Sequence, residues 1–277
     1  MSTSVELRFE CVGQQRAPIA AALAPGDALL AGRRPDYEQV TDRPQSRPRG
    51  THRTVALTAS AASGLSRSHL LLWHTDVGVR VRNVGTPPIR WQGWGQAGRA
   101  ESVTRHPDGE LIERPLVTFW LAHSPVWRVA LVNPAGVWPA AVTAGEWRTM
   151  PDESRIHVEA SQLEAVLAVF AEFFDFPARA EPRIRKSTDL PGRYNTLRHR
   201  LERLWQTAVR DGRWQPPADE RQTSVTESLL RFLLRTGSVS YADVARAVAL
   251  GTAGQIALMR PVPLWASDVS SAADRTS

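Results

Sequence analysis

The apolar pattern changes period once along the chain, and that change limits the fold more than any other feature. Up to about residue 135 the apolar residues fall in short runs. Val5-Glu6-Leu7-Arg8-Phe9 and Val77-Gly78-Val79-Arg80-Val81-Arg82 alternate with period two, and Val126 to Val132 is apolar and β-branched. Further runs lie at Asp27 to Leu30, Thr54 to Thr58, His69 to Trp73 and Pro115 to Trp120, separated by Gly, Pro and Asp. Alternation sends successive side chains to opposite faces of a strand. Many brief strands joined by turns predict an antiparallel β-sandwich. The polar stretch from Arg34 to Arg53, with Pro35, Pro44 and Pro48, reads as a long loop between two strands.

From residue 161 the period is helical. Leu163, Val166, Leu167, Val169 and Phe170 follow Ser161, with Glu164 three residues on, which predicts a capping box and a helix. Pro177, Pro182 and Arg183 to Thr188 read as a linker. A second helix is predicted from about Arg193, with Leu197, Leu201, Leu204 and Ala208 on one stripe, ending near Gly212. Ser224 with Glu227 opens a third helix through Leu229, Leu230, Leu233 and Leu234, which Gly237 ends, and Ser240 with Asp243 opens a fourth. The fold class expected is therefore α+β, segregated. Residues 1–140 form the sandwich, 141–192 a connecting strand or helix and linker, 193–265 a small helical domain, and 266–277 a disordered tail.

Composition removes several function classes. No run approaches the eighteen apolar residues of a membrane span, and the N-terminal sequence has no basic region followed by an apolar block, so a secretory signal is not expected. Cys11 is the single cysteine, which fits a reducing cytoplasm and leaves no thiolate metal cluster. The seven histidines show no metal-ligand spacing. Gly93-Trp94-Gly95 is only superficially a glycine fingerprint, and Asp108, Glu110 and Glu113 beside Gly109 read as a turn. An enzyme, a cofactor and a metal are thus not expected. Most of the net charge of +6 sits in the first half: residues 1–140 hold sixteen arginines against eleven acids, and the remainder eighteen basic residues against seventeen acids. Lys186 is the sole lysine, an Arg- and Ala-rich usage that fits a GC-rich bacterial genome, so the charge by itself does not identify an anionic partner.

Three landmarks stand in order within the β-patterned half: Gly32-Arg33, then Gly64-Leu65-Ser66-Arg67-Ser68-His69, then Arg82-Asn83-Val84-Gly85-Thr86. Together they resemble the forkhead-associated (FHA) family, whose domains show Gly-Arg after an early strand, a Ser-Arg-x-His box, and a later loop ending in Asn-Gly. The resemblance spans roughly residues 5–135. It implies a β-sandwich that binds phosphothreonine peptides, with Arg33 and Ser66 on the phosphate, Arg67 supporting it or contacting the peptide, Thr86 offering a hydroxyl, and Gly32, His69 and Gly85 as structural members of the motif. The chemistry is coherent. A phosphothreonine carries about −2 charge and three acceptor oxygens, so its receptor needs guanidinium and hydroxyl donors converging from different loops. Three charge-assisted bonds of about 1.5–3 kcal/mol each would account for much of a micromolar affinity, about −8 kcal/mol. The chain departs from the family at Pro87-Pro88, which stand where an Asn-Gly would bond the backbone of the bound peptide.

The resemblance implies a cytoplasmic adaptor that docks a phosphothreonine-containing protein, or the Ser/Thr kinase itself, while the helical half engages a second protein. Two alternatives stand beside it. One is a DNA-binding regulator, because residues 229–261 have a helix-turn-helix rhythm; its second helix, 252–260, is poor in base- and phosphate-contacting side chains. The other is a degenerate FHA scaffold that ignores phosphate. Trp205, Trp214 and Trp265 read as core or interdomain packing.

Overall fold

The structure is a computed structural model that describes residues 4–15, 17–40, 50–57, 64–94, 100–121, 127–134, 155–216, 225–239, 243–244 and 246–247. The chain is α+β, with two β-sheets and three α-helices among these residues. The described residues divide into two compact units, the first within 4–134 and the second within 155–247.

In the first unit, strands β1 (Val5–Cys11), β2 (Ile19–Leu23), β7 (Ile89–Gly93), β8 (Glu101–Ser102), β10 (Leu116–Leu121) and β11 (Trp127–Val132) form one sheet in the order β2-β1-β11-β10-β7-β8. Strands β3 (Ala28–Gly32), β4 (His52–Ala56), β5 (Leu70–Thr75), β6 (Gly78–Asn83) and β9 (Glu110–Ile112) form the other, ordered β4-β3-β5-β6-β9. All pairs are antiparallel except β3 with β4, which run parallel and so need the long crossover that the sequence places between them. Period-two alternation is visible in β1, where Val5, Leu7, Phe9 and Cys11 are buried and the residues between them are not. These side chains join Phe119, Val129 and Leu131 of the same sheet and Leu29, Ala31, Leu70, Leu72, Val79 and Val81 of the other in one hydrophobic core.

Strand β3 is buried at every position because its second face is covered too. Ala28, Leu30, Leu71 and Trp73 pack with Val40, Tyr37 and Val84. Tyr37 lies in a 3-10 turn (Tyr37–Gln39) capped by the Asp36 carboxylate, which accepts the Glu38 N–H, and its ring stacks on His52 at 4.2 Å. The part of the crossover that follows Arg33 is thereby held against the sheet. Its middle, residues 41–49, lies outside the described residues.

The second unit contains α1 (Ala160–Val169), α2 (Tyr194–Arg210) and α3 (Val225–Arg235). The capping box of α1 is built from Glu159 and Gln162, two residues before the expected Ser161 and Glu164. The reason is that the Gln162 side chain reaches back to the Glu159 N–H (3.0 Å), which fixes the first turn, and leaves Glu164 to pair with Arg193 and Arg200. Helix α2 buries Leu197, Leu201, Leu204 and Ala208, the stripe read from its spacing. Trp205 meets Trp214 edge-on at 6.3 Å, and Trp214 meets Phe232 of α3. The segment expected as a linker is tied down: buried Glu172 accepts the Arg183 N–H and pairs with Arg179 and Arg183, and the Arg185 N–H donates to Val169 O. The expected caps Ser224 and Ser240, the second helix of the helix-turn-helix rhythm, Trp265 and the tail fall outside the described residues.

Phe119 has no exposed surface and sits where the two sheets meet. Phe119→Ala is expected to destabilise the first unit by about 3–5 kcal/mol, measured as a lowered urea midpoint at unchanged slope.

Candidate functional site

The three landmarks come together at one end of three neighbouring strands. Ala31 pairs with Leu70 and Leu70 with Asn83, so the end of β3, the start of β5 and the end of β6 lie side by side. Beyond β3 the Arg33 N–H donates to Ser66 O and the Arg34 N–H to Arg67 O, both at 3.0 Å, carrying the ladder into the loop before β5. This close approach requires Gly32, because a Cβ there would collide with the Arg67 carbonyl. The third segment joins through Thr86, whose N–H donates to Ser66 Oγ (3.1 Å). A Cβ at Gly85 would lie 2.7 Å from both Ser66 Oγ and the His69 ring, so this position also excludes a side chain.

His69 is the joint between the loops. Its backbone N–H donates to Ala31 O, and its carbonyl accepts the Val84 N–H. In the ring, Nδ1 accepts the Ser66 N–H (3.4 Å) and Nε2 faces Pro87 O (3.1 Å). A carbonyl only accepts, so Nε2 carries the proton and the imidazole is neutral. Burial pushes its pKa below the ordinary value, the bond to Pro87 O opposes that, and the Arg105 charge adds to it. His69 thus acts as a structural residue, fully buried.

Arg33, Arg67 and Thr86 are exposed and Ser66 is half-buried. Ser66 Oγ receives the Thr86 N–H, which leaves its own proton to be donated outward. The guanidinium groups of Arg33, Arg34 and Arg67 have no hydrogen bond or ion pair among the described residues. Ser68 fastens the neighbouring loop, its Oγ accepting the Asp36 N–H (3.2 Å) and donating to Asp36 O (3.4 Å).

Sequence reasoning missed two members. Asn83 is buried; its side-chain oxygen accepts the Gly85 N–H (2.9 Å) and its amide donates to Pro87 O (2.8 Å). It stood inside the third landmark, but its position in a strand run hid its role as an organiser of the loop. Arg105, exposed, donates to Thr86 O. No local signal marks it, because the contact is made across nineteen residues of sequence. Among the described residues no group of three or more His, Cys, Asp or Glu side chains is gathered to hold a metal, and no helix is long and apolar enough to cross a membrane.

No family model matches the chain, and no curated protein matches it. Among solved structures, the crystal structure of the interferon regulatory factor 9 IAD domain is similar over 47% of this chain and 81% of that one, at 11% identity and a TM-score of 0.32. At that level the likeness bears on neither family nor function.

Protonation of His69 would remove the acceptor for Ser66 N–H. The folded state holds this proton more weakly than the unfolded chain, so the contribution of neutral His69 is complete above the ordinary value of 6.5 and is lost as pH falls from there through the depressed folded value. Buried His74 is depressed by burial as well and acts in the same direction. Stability measured by urea unfolding is expected to decline below about pH 6.5, and His69→Gln is expected to reduce that slope while leaving the share due to His74.

Proposed function

We propose that the first unit is an FHA-type β-sandwich that binds phosphothreonine peptides, and that the protein is a cytoplasmic adaptor acting downstream of a Ser/Thr kinase. The observation that carries this reading is the state of Ser66. Its N–H is bonded to His69 in its own loop, its carbonyl and Oγ lone pair to Arg33 and Thr86 in two others, and its hydroxyl proton is left to donate. Arg33 and Arg67 flank it through hydrogen-bonded backbone, each with a guanidinium that has no partner among the described residues. That combination of one fixed hydroxyl donor and two cationic forks suits a phosphate dianion. A catalytic role has no comparable support, since His69 is buried with both ring nitrogens engaged and has neither a nucleophile to activate nor access to a substrate.

The second unit, in this reading, engages another protein. Several of its arginines are paired with carboxylates, as in Arg179 with Asp175, Arg198 with Glu202 and Arg231 with Glu227, which lowers the free positive charge that a DNA-binding face would need.

The test is fluorescence anisotropy of the full chain with a labelled pool of phosphothreonine peptides and the same pool without phosphate. Only the phosphorylated pool is expected to bind, and Arg33→Ala is expected to weaken it at least about tenfold, the equivalent of one charge-assisted hydrogen bond. Equal affinity for both pools, or no effect of Arg33→Ala, would remove the phosphate reading and leave the degenerate scaffold.

A further inference from the structure

The loop between β6 and β7 has no backbone donor left to offer a peptide. Val84 N–H is taken by His69 O, Gly85 N–H by Asn83 and Thr86 N–H by Ser66, while Pro87 and Pro88 have none. The Pro87 carbonyl is occupied by His69 and Asn83. A ligand on this side therefore meets the Thr86 hydroxyl and a charge, Arg105, whose guanidinium donates to Thr86 O.

Arg105 is well fixed for a residue outside the strands. Its carbonyl accepts from Arg82 Nε (3.2 Å), the preceding Thr104 O accepts the Asn83 N–H (2.9 Å), and the Val103 N–H donates to Ile89 O (2.8 Å). One of its five N–H groups meets Thr86 O, and four remain. Charge complementarity points the same way. Arg33, Arg34, Arg67 and Arg105 together carry more positive charge than the roughly −2 of one phosphothreonine neutralises. The carboxylate nearest in sequence to Arg33 and Arg34, Asp36, is turned to the Glu38 N–H and the Gln39 amide, and the one nearest to Arg105, Asp108, lies 3.7 Å from His106 Nδ1.

We propose that the site binds phosphothreonine peptides with an acidic residue beside the phosphothreonine, Arg105 pairing with that carboxylate where hydrogen bonds to the peptide backbone are not on offer. This rests on the phosphothreonine reading above. Such a contact selects side-chain charge, and as an exposed pair it is modest in strength and screened by salt.

The full chain is titrated with two pools of phosphothreonine peptides that differ only in carrying aspartate or alanine on both sides of the phosphothreonine. Wild type is expected to bind the aspartate pool about fivefold more tightly at moderate salt, the upper range for an exposed ion pair. Arg105→Ala is expected to level the two pools, read as the ratio of their affinities whatever change is common to both, and Arg105→Lys, which keeps the charge, to retain the preference; a variant that failed to fold would lose both pools together. Equal binding of both pools by wild type, or an unchanged preference in Arg105→Ala, overturns the inference and leaves the phosphate reading standing wherever Arg33→Ala still loses both pools. Failure of wild type to bind either pool overturns both.

Discussion

The hydrogen bonds of His69, ring and backbone together, join the end of β3, the loop before β5 and the loop after β6. Nδ1 takes the Ser66 N–H, Nε2 gives its proton to Pro87 O, and the His69 backbone bonds Ala31 and Val84. Each of these partners is a backbone group close to the core, where an unsatisfied donor or acceptor costs about 1–3 kcal/mol. Replacing the ring by an apolar one would leave Ser66 N–H and one lone pair of Pro87 O without partners at once. Glycine at 32 and 85 is a condition of the same arrangement, because the ring and the Ser66 loop occupy the space that a Cβ would fill.

Such a joint has a consequence for binding. Affinity is the surplus left after ordering the groups that make the contact, and here the ordering is done by the fold. Ser66 is already fixed at its N–H, carbonyl and hydroxyl oxygen. The two prolines work in the same direction, since their fixed φ angles stiffen the loop and their missing N–H groups create no orphan donors. What the loop loses in donors it gains in rigidity, and the Arg105 guanidinium, bonded to Thr86 O, stands at its rim.

Much of this was legible in the sequence, for identifiable reasons. Alternation located β1, where one buried face imprints its period on the chain, and β6, while an apolar, β-branched run located β11. It did not locate β2, whose Ile19-Ala20-Ala21-Ala22-Leu23 has little strand propensity and is held by pairing with β1. Nor did it locate β7, which starts directly after the proline pair and is defined by β10. The α2 stripe was readable because amphipathicity repeats over its seventeen residues. The α1 cap was misplaced by two residues because Ser161 and Glu164 satisfy the same local pattern as Glu159 and Gln162, and only the fold shows which pair is used. In the site, the family resemblance carried by three ordered landmarks pointed to Gly32, Arg33, Ser66, Arg67, His69, Gly85 and Thr86, whereas Asn83 and Arg105 act through contacts that local pattern does not encode.

Arginine content was ambiguous in the sequence for a related reason. A chain with one lysine and arginine everywhere else carries cations wherever composition puts them, so their number says little. Their pairing says more. In the second unit Glu164 takes Arg193 and Arg200, Glu172 takes Arg179 and Arg183, and Asp189 takes Arg183 as well, so that positive charge is matched locally. In the first unit, Arg128 and Arg8 share Glu10 across the β1–β11 pair. Arg33, Arg34 and Arg67 have no carboxylate partner among the described residues, and two backbone bonds, Arg33 N–H to Ser66 O and Arg34 N–H to Arg67 O, hold their two loops side by side. Like charges gathered by the fold repel, and exposed as they are they are only partly screened by water and salt. An anion at this end of the sheet would relieve that repulsion as well as form hydrogen bonds, which is why the site is defined by the charges the fold leaves unmatched and not by the net charge of the chain.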